Sequence, residues 1–269
     1  MKYLIAVDLE GAHGVVGEPY TGLKPGMAEY DLAVRNVTEE VNAAIDALFD
    51  SGADEVFVWD NHGNLDNLDF SVVDGRAKKV KPQNNSTLRL EFLKGAGYDG
   101  MAFIGYHARE GAINGVLAHT YDSSAIQQFK IDEKPVGEYD VDGIIAESFG
   151  VPVMFLSSDD VCARDFSESF PDAKTAITKI GKGRNAAAFI DPATVFGDIR
   201  KGISEAVKTA KIRHEKTFPC DIEIRYTRTE TAAEKMKKLE EQGIKTAYAG
   251  DAHTIAGRAE DVYELRKYL

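Results

Sequence analysis

Asp8 and Glu10 stand two residues apart, directly after the apolar run Tyr3-Leu4-Ile5-Ala6-Val7. On an extended chain residues i and i+2 face the same way, so both carboxylates project together from the end of a buried first strand. In open α/β sheets the C-terminal strand ends are where ligands bind. Two carboxylates side by side repel unless a cation or a proton lies between them. Taken alone, the pair also fits a solvated loop or a helix cap. Two further strands alter the weighing. Val56 to Trp59 runs into Asp60-Asn61-His62, and Phe103-Ile104-Gly105 runs into Tyr106-His107-Ala108. Each delivers a histidine just past its end, and parallel neighbours would set both imidazoles on the rim that carries Asp8 and Glu10. A lone histidine after a strand is usually a hydrogen-bonded loop residue; two at equivalent ends beside a D-x-E pair point to a shared site. Glu138 follows Pro135-Val136-Gly137 and opens a helix. The helix dipole alone favours an acid there, yet it completes a set of three carboxylates and two imidazoles.

That mixed nitrogen and oxygen set suits zinc better than magnesium, because imidazole is a zinc ligand. Five ligands exceed what one tetrahedral ion needs. Two ions about 3.5–4 Å apart, sharing a carboxylate, would use them all. The expected cofactor is zinc, two ions per subunit, with manganese or cobalt as alternatives. His119 ends a fourth short apolar run, Val116-Leu117-Ala118. Since the metal set is complete without it, it is the candidate catalytic residue, able to carry a proton or stabilise an oxyanion. A further ligand or a satisfied core histidine are its other readings.

The elements that must hold these groups read as a parallel sheet with helices on its faces. Lys2 to Val7 is a strand. Val34, Val37, Val41, Ala44, Ile45 and Leu48 recur at helical spacing up to Gly52, and Glu55 to Trp59 is a second strand. Met101 to Gly105 is another, then a hairpin turning at Asp132-Glu133-Lys134, a helix from Gly137 to Gly150, and a strand from Val151 to Leu156. Thr175 to Ile180 reads as a strand and 192–212 as a helix. Thr217-Phe218-Pro219 is the best boundary, dividing a catalytic unit, 1–216, from a smaller one packed on it, 217–269, with one continuous domain as the alternative. The tail continues as a strand through Ile222, Ile224 and Tyr226, a helix from Thr231 to Gln242, a strand from Thr246 to Ala249 and a helix from Arg258 to Leu269. The fold class is α/β: a three-layer, mostly parallel sheet with helices on both faces and a small C-terminal β-α-β-α extension.

Several other features carry less chemistry. Gly11, Gly14 and Gly17 miss the dinucleotide spacing G-x-G-x-x-G, and the adjacent carboxylates would repel a pyrophosphate. Ser157-Ser158-Asp159-Asp160 suits a helix cap. Arg109 and Asn185 are weaker candidates for substrate contact; His13 has no assigned role, and His214 and His253 read as ordinary loop histidines.

The 269 residues, 43% of them hydrophobic, suffice for one large core. The formal charge of -12 argues against nucleic acid and anionic membrane as partners and suits a site that holds cations. No stretch approaches the roughly 18 apolar residues of a membrane span. The first apolar run is too short for a signal segment, and two cysteines without C-x-x-C spacing suggest no disulfide framework. A cytoplasmic location is expected.

The motifs also resemble a known family, the zinc-dependent D-aminopeptidases encoded in bacterial dipeptide-transport operons. The matching stretches are Ala6-Val7-Asp8-Leu9-Glu10-Gly11, Asp60-Asn61-His62, Gly105-Tyr106-His107-Ala108, Gly115 to Thr120 and Lys134-Pro135-Val136-Gly137-Glu138, with Val151-Pro152-Val153 and Asp159-Asp160 beyond them. They lie in order over the first two-thirds of the chain. The resemblance puts Asp8, Glu10, His62, His107 and Glu138 in the places of zinc ligands and His119 in that of the active-site histidine. It implies hydrolysis of N-terminal D-residues, such as D-alanine, from short peptides through a metal-activated water, in a ring-shaped homodecamer. Asn61 stands where serine is expected and Leu9 where methionine is expected; neither is a ligand. The competing readings are another dinuclear metallohydrolase (an amidase or a phosphoesterase) and a non-catalytic metal- or peptide-binding protein.

Overall fold

The computed structural model describes residues 1–19, 22–63, 66–82, 88–212 and 218–269; His214 and Thr217 lie outside them. In chain order the elements are β1 (Lys2–Val7), α1 (Ala28–Asp50), β2 (Glu55–Asp60), β3 (Lys78–Val80), β4 (Gly100–Ile104), β5 (Ile126–Ile131), β6 (Lys134–Pro135), α2 (Glu138–Ser148), β7 (Val153–Asp159), α3 (Asp160–Ser169), β8 (Lys174–Gly183), β9 (Ala186–Phe189), α4 (Pro192–Thr209), β10 (Cys220–Tyr226), α5 (Thr229–Glu241), β11 (Thr246–Ala249), β12 (Asp251–Ala259) and α6 (Val262–Lys267).

The large sheet has the order β3-β2-β1-β4-β7-β8-β9. It is parallel from β3 to β8, and only β9 runs against its neighbour. Period-2 alternation explains how β1 serves two cores at once. Tyr3, Ile5 and Val7 face a cluster with Val37, Val41, Ile45 and Leu48 of α1 and Ile199 and Ile203 of α4. Leu4 and Ala6 face the opposite cluster, with Tyr139 and Ile145 of α2, Phe166 of α3, and Phe129 and Ile224 of the small sheet. Helices therefore cover both faces, as the sequence pattern implied. A strand buried on both sides must be apolar throughout, which is why β1 reads as a continuous run rather than an alternating one. Truncating Ile5, fully buried, to alanine would cost about 2–5 kcal/mol.

A second sheet has the order β11-β12-β10-β5-β6. The tail strands do not pair only among themselves: β10 lies between β12 and β5 and is antiparallel to both. The tail also holds a strand the sequence reading missed. β12 runs to Ala259, so the closing helix begins at Val262 rather than at Arg258, capped by Asp261, whose carboxylate accepts from Glu264 N. β12 carries His253, Thr254, Gly257 and Arg258, a composition that hides its strand character; its pairing on both sides, with β10 and β11, overrides that weak propensity. β3 and β9 were missed for another reason: both are short, exposed edges. The helix expected over 192–212 ends at Thr209.

Candidate metal centre

Val7 pairs with Asp60 on one side and with Ile104 on the other, so β1, β2 and β4 finish level. Their next residues form one rim. The loops after β1 and β4 then run against each other: Asp8 N donates to Ile104 O (2.9 Å) and Gly11 N to Gly105 O (2.7 Å). Only glycine permits this approach. A Cβ at Gly11 would lie 1.8 Å from Tyr106 O, and one at Gly105, where φ is +73°, would lie 2.3 Å from Asp8 O. Glu138 arrives from elsewhere. The β5-β6 hairpin turns the chain into α2, whose first residue is Glu138; Gly137 N, at the helix start, donates to Asp140 (2.7 Å). His119 comes from the loop after β4, whose Val116 N donates to Asp159 Oδ2 (2.9 Å). Asp159 also caps α3, accepting from Val161 N and Cys162 N, as expected for the Ser157–Asp160 segment.

All six candidate residues meet. His62 Nδ1 lies 2.9 Å from Asp8 Oδ1 and 3.1 Å from Glu10 Oε2. His107 Nε2 lies 3.4 Å from Asp8 Oδ2 and 3.2 Å from Glu138 Oε1. His119 Nε2 is 3.6 Å from Glu138 Oε1, and its ring stacks on that of His107 at 3.9 Å. One donor atom each from Asp8, Glu10 and His107 lie within 4.8 Å of one another, and so do those of His107, His119 and Glu138.

The far side of each imidazole is fixed by the backbone. His62 Nε2 faces Leu23 O (2.9 Å), His107 Nδ1 faces Ala108 O (3.0 Å) and His119 Nδ1 faces Leu117 O (2.8 Å). A carbonyl oxygen only accepts, so each of these nitrogens carries the proton and donates it. The other nitrogen of each ring is thereby turned to the rim, which is how protein scaffolds orient metal-binding histidines. His107 Nε2 is fully buried and aligned with neither nearby carboxylate, so it has no hydrogen bond.

The charges are strongly coupled. Burial and the Glu10 charge raise the Asp8 carboxyl to about 7, against the pull of His62 and His107. Glu10 is held well below the usual range: burial opposes this, but His62, His119 and His107 outweigh it. Burial likewise opposes, and His107 overcomes, so that Glu138 falls to about 2. Burial disfavours the charged form of His107, yet Glu138, Asp8 and Glu10 carry it to about 10. His119 moves the other way, lowered by burial and by the neighbouring His107 charge. The carboxylates thus demand positive charge at the rim, and the same demand would be met by divalent cations displacing protons. The set fits zinc: imidazole nitrogens aimed inward, able to bind once cations displace their protons, carboxylate oxygens between them and a buried nitrogen lacking a hydrogen bond.

Other groups brace the rim, and sequence reasoning did not find them. Thr178 Oγ1 donates to Gly11 O (2.6 Å), and Lys179 Nζ donates to Glu10 O (2.6 Å) and Ala12 O (2.7 Å). Burial pulls the Lys179 amine down to about 8, against Asp159, Glu40 and Glu10. Glu40 is buried on α1 and accepts from His13 N and Ser157 Oγ. Glu40 carried a signal, a charged residue beside the apolar stripe of α1; Lys179 carried none, because β8 reads KTAITKIGKG, in which a lysine is unremarkable. Arg89 makes a two-pronged bond to Asp142 (2.5 and 2.7 Å). Arg109 is engaged with Asp165, and Asn185 donates to Val16 O; His253 faces Tyr226 O.

Sheet and rim together define the class, a metallopeptidase. The family follows from the comparison with known proteins. The family model of the D-aminopeptidases matches residues 1–269, and this chain belongs to that family. A D-aminopeptidase of Bacillus subtilis (strain 168) is 31% identical over 193 residues, which are 72% of this chain and 69% of that protein. Among solved structures, the zinc-dependent D-aminopeptidase DppA from Bacillus subtilis, a self-compartmentalizing protease, superposes with a TM-score of 0.87 at 26% identity, covering 100% of this chain and 95% of that one. Among the described residues no helix is long and apolar enough to cross a membrane.

Proposed function

We propose that this chain is a dinuclear zinc aminopeptidase that releases N-terminal D-residues, such as D-alanine, from short peptides. Asp8, Glu10, His62, His107 and Glu138 would hold the two ions, and His119 is the catalytic residue. The observation that carries this reading is His107 Nε2, buried between two carboxylates without a hydrogen bond. A buried polar atom left without a partner costs about 1–3 kcal/mol, and a metal ion would take up the lone pair of Nε2. When bound, zinc supplies Lewis acidity towards a carbonyl and lowers the pKa of water to about 7.

The chain's own residues supply orientation and proton handling. Leu23 O, Ala108 O and Leu117 O lock the three imidazoles. His119, whose charged form is disfavoured by burial and by His107, presents Nε2 to the rim and can take up a proton and return it to the departing amine. The chain's net charge of -12 favours approach of the peptide's positively charged amino terminus. Chemistry is assigned to residues 1–216 and a bracing role to 217–269, through Arg266 of α6, which donates to Arg89 O (3.2 Å). Likeness to a self-compartmentalizing protease supports a homo-oligomer, with a decameric ring in the cytoplasm as its specific form.

Metal analysis by mass spectrometry, beside assays of D-Ala-D-Ala, L-Ala-L-Ala and a phosphate ester on the same sample, tests this. Two zinc ions per chain and selective turnover of the D-peptide are expected. Preferential turnover of the phosphate ester would mark another metallohydrolase. Metal and peptide binding without turnover would mark a binding protein. Manganese or cobalt in place of zinc would correct the cofactor alone.

A further inference from the structure

Three consecutive carbonyls, those of Glu10, Gly11 and Ala12, are captured by two consecutive side chains of β8. β8 is not a neighbour of β1. Both β4 and β7 lie between them in the sheet, so these contacts reach over two strand ends to the loop after β1. In a regular strand Thr178 and Lys179 would point to opposite faces. A bulge removes that restriction: Ser158 pairs with Ile177 and Asp159 with Lys179, which leaves Thr178 as the extra residue. Bulges re-aim side chains in this way near functional sites. Both residues are fully buried. The loop is gripped from the other side as well, where Gly11 N donates to Gly105 O. The backbone dihedrals that aim the Glu10 carboxylate at His62 are therefore fixed by groups from β8 and from the loop after β4.

We propose that Lys179 and Thr178 are positioning residues for Glu10, acting through the carbonyls of residues 10–12 to hold its carboxylate in place for metal. This rests on the zinc reading above. Removing the Lys179 grip frees two buried carbonyls and lets the Glu10 backbone rotate, so the first loss is zinc affinity. Outer partners of metal ligands typically matter by about 10–100-fold.

The experiment is competition for zinc between the metal-stripped full chain and a chromophoric chelator, with thermal midpoint and the kcat-against-KM split measured on the same samples. Lys179→Met is expected to weaken zinc binding by about 10–100-fold. Thr178→Val, a near-isosteric loss of one hydroxyl, is expected to weaken it by about 3–10-fold, and Thr178→Ser to restore it. Turnover should fall through kcat. Tyr268→Phe serves as the control: it deletes a hydroxyl that donates to Arg258 O (3.3 Å) in the small sheet and should leave zinc affinity at the wild-type value. If Lys179→Met does not fold, the Thr178 pair decides. Wild-type zinc affinity in Thr178→Val, or equal zinc losses in Thr178→Val and Tyr268→Phe, overturns the proposal and leaves the zinc reading intact. A wild-type chain that takes up no zinc overturns both.

Discussion

Two buried clusters of charge lie side by side under the rim, and they are built on opposite terms. In the first, Arg89 and Asp142 pair through two bonds (2.5 and 2.7 Å), Tyr106 Oη donates to Asp142 Oδ2 (3.0 Å), Tyr121 Oη to Asp142 Oδ1 (3.3 Å), and Asn61 Nδ2 donates to the Tyr106 hydroxyl (2.8 Å). One anion meets one cation, and hydroxyls fill the remaining lone pairs. In the second cluster Asp8, Glu10 and Glu138 face His62, His107 and His119, and His107 Nε2, 3.2 Å from Glu138 and 3.4 Å from Asp8, makes no hydrogen bond. The clusters nearly touch: Arg89 Nη2 is 4.0 Å from Glu138 Oε2, and Asn61 and Tyr106 each precede a rim histidine in sequence. Equal burial with unequal satisfaction separates a brace from a binding site. A polar cluster whose charges are paired rigidifies, even with Asn61 Oδ1 at its edge lacking a hydrogen bond; one whose carboxylates and imidazoles are only partly bonded calls for a further occupant.

The largest effect that would break this contrast comes from removing the occupant. Treatment with a strong chelator should lower peptide turnover by about a thousandfold or more, the several kcal/mol a metal supplies to the transition state. Readdition of zinc should restore it. Full activity after exhaustive chelation, checked by metal analysis, would remove the distinction between the two clusters. Asp142→Ala is expected to act differently. It leaves the buried Arg89 guanidinium with only the distant Glu138 carboxylate, 4.0 Å away, at a cost of about 3–5 kcal/mol in folding stability, read from urea midpoints. That loss should be alike in zinc-loaded and zinc-stripped protein. A loss confined to the loaded form would make Asp142 part of the metal-binding cluster rather than its brace.

His119→Ala sharpens the contrast from inside the second cluster. A proton carrier is worth about a hundredfold or more in kcat, while zinc content should stay at the wild-type value. Zinc loss in that variant would reassign His119 as a ligand. The geometry allows that outcome, because donor atoms of His107, His119 and Glu138 lie within 4.8 Å of one another.

The second cluster was legible in the sequence and the first was not, for a physical reason. Asp8, Glu10, His62 and His107 follow directly on strands, and parallel strands that finish level turn sequence position into spatial position. Arg89 and Asp142 carry no such marker. Arg89 sits between strands, and Asp142 lies one turn into α2, where an acid normally faces water; only three-dimensional packing buries both. Lys179 was as hidden as Arg89: it is one of three lysines of β8, and the bulge that aims it at residues 10–12 has no sequence mark. In the tail, β12 was missed because its polar composition does not disclose that strands flank it on both sides.

A third pairing, on the surface, sets the lower end of this scale. Asp66 lies 2.8 Å from Lys79 and 2.9 Å from Lys81, and these bonds, that to Lys79 first, hold its carboxyl at about 2, below the ordinary 3.8. A carboxyl whose pKa is lower when folded stabilises the fold above its unfolded pKa, and the contribution disappears as pH falls through the folded value. The effect of Asp66→Asn on the urea midpoint should therefore be present at pH 7, shrink from about pH 4 downward and be gone near pH 2. Water and salt screen this pair, so at any pH the shift should be smaller than that of Asp142→Ala and should diminish in about 1 M salt. An Asp66→Asn shift matching that of Asp142→Ala, or one indifferent to salt, would mean that burial is not what divides a bracing ion pair from a merely solvated one.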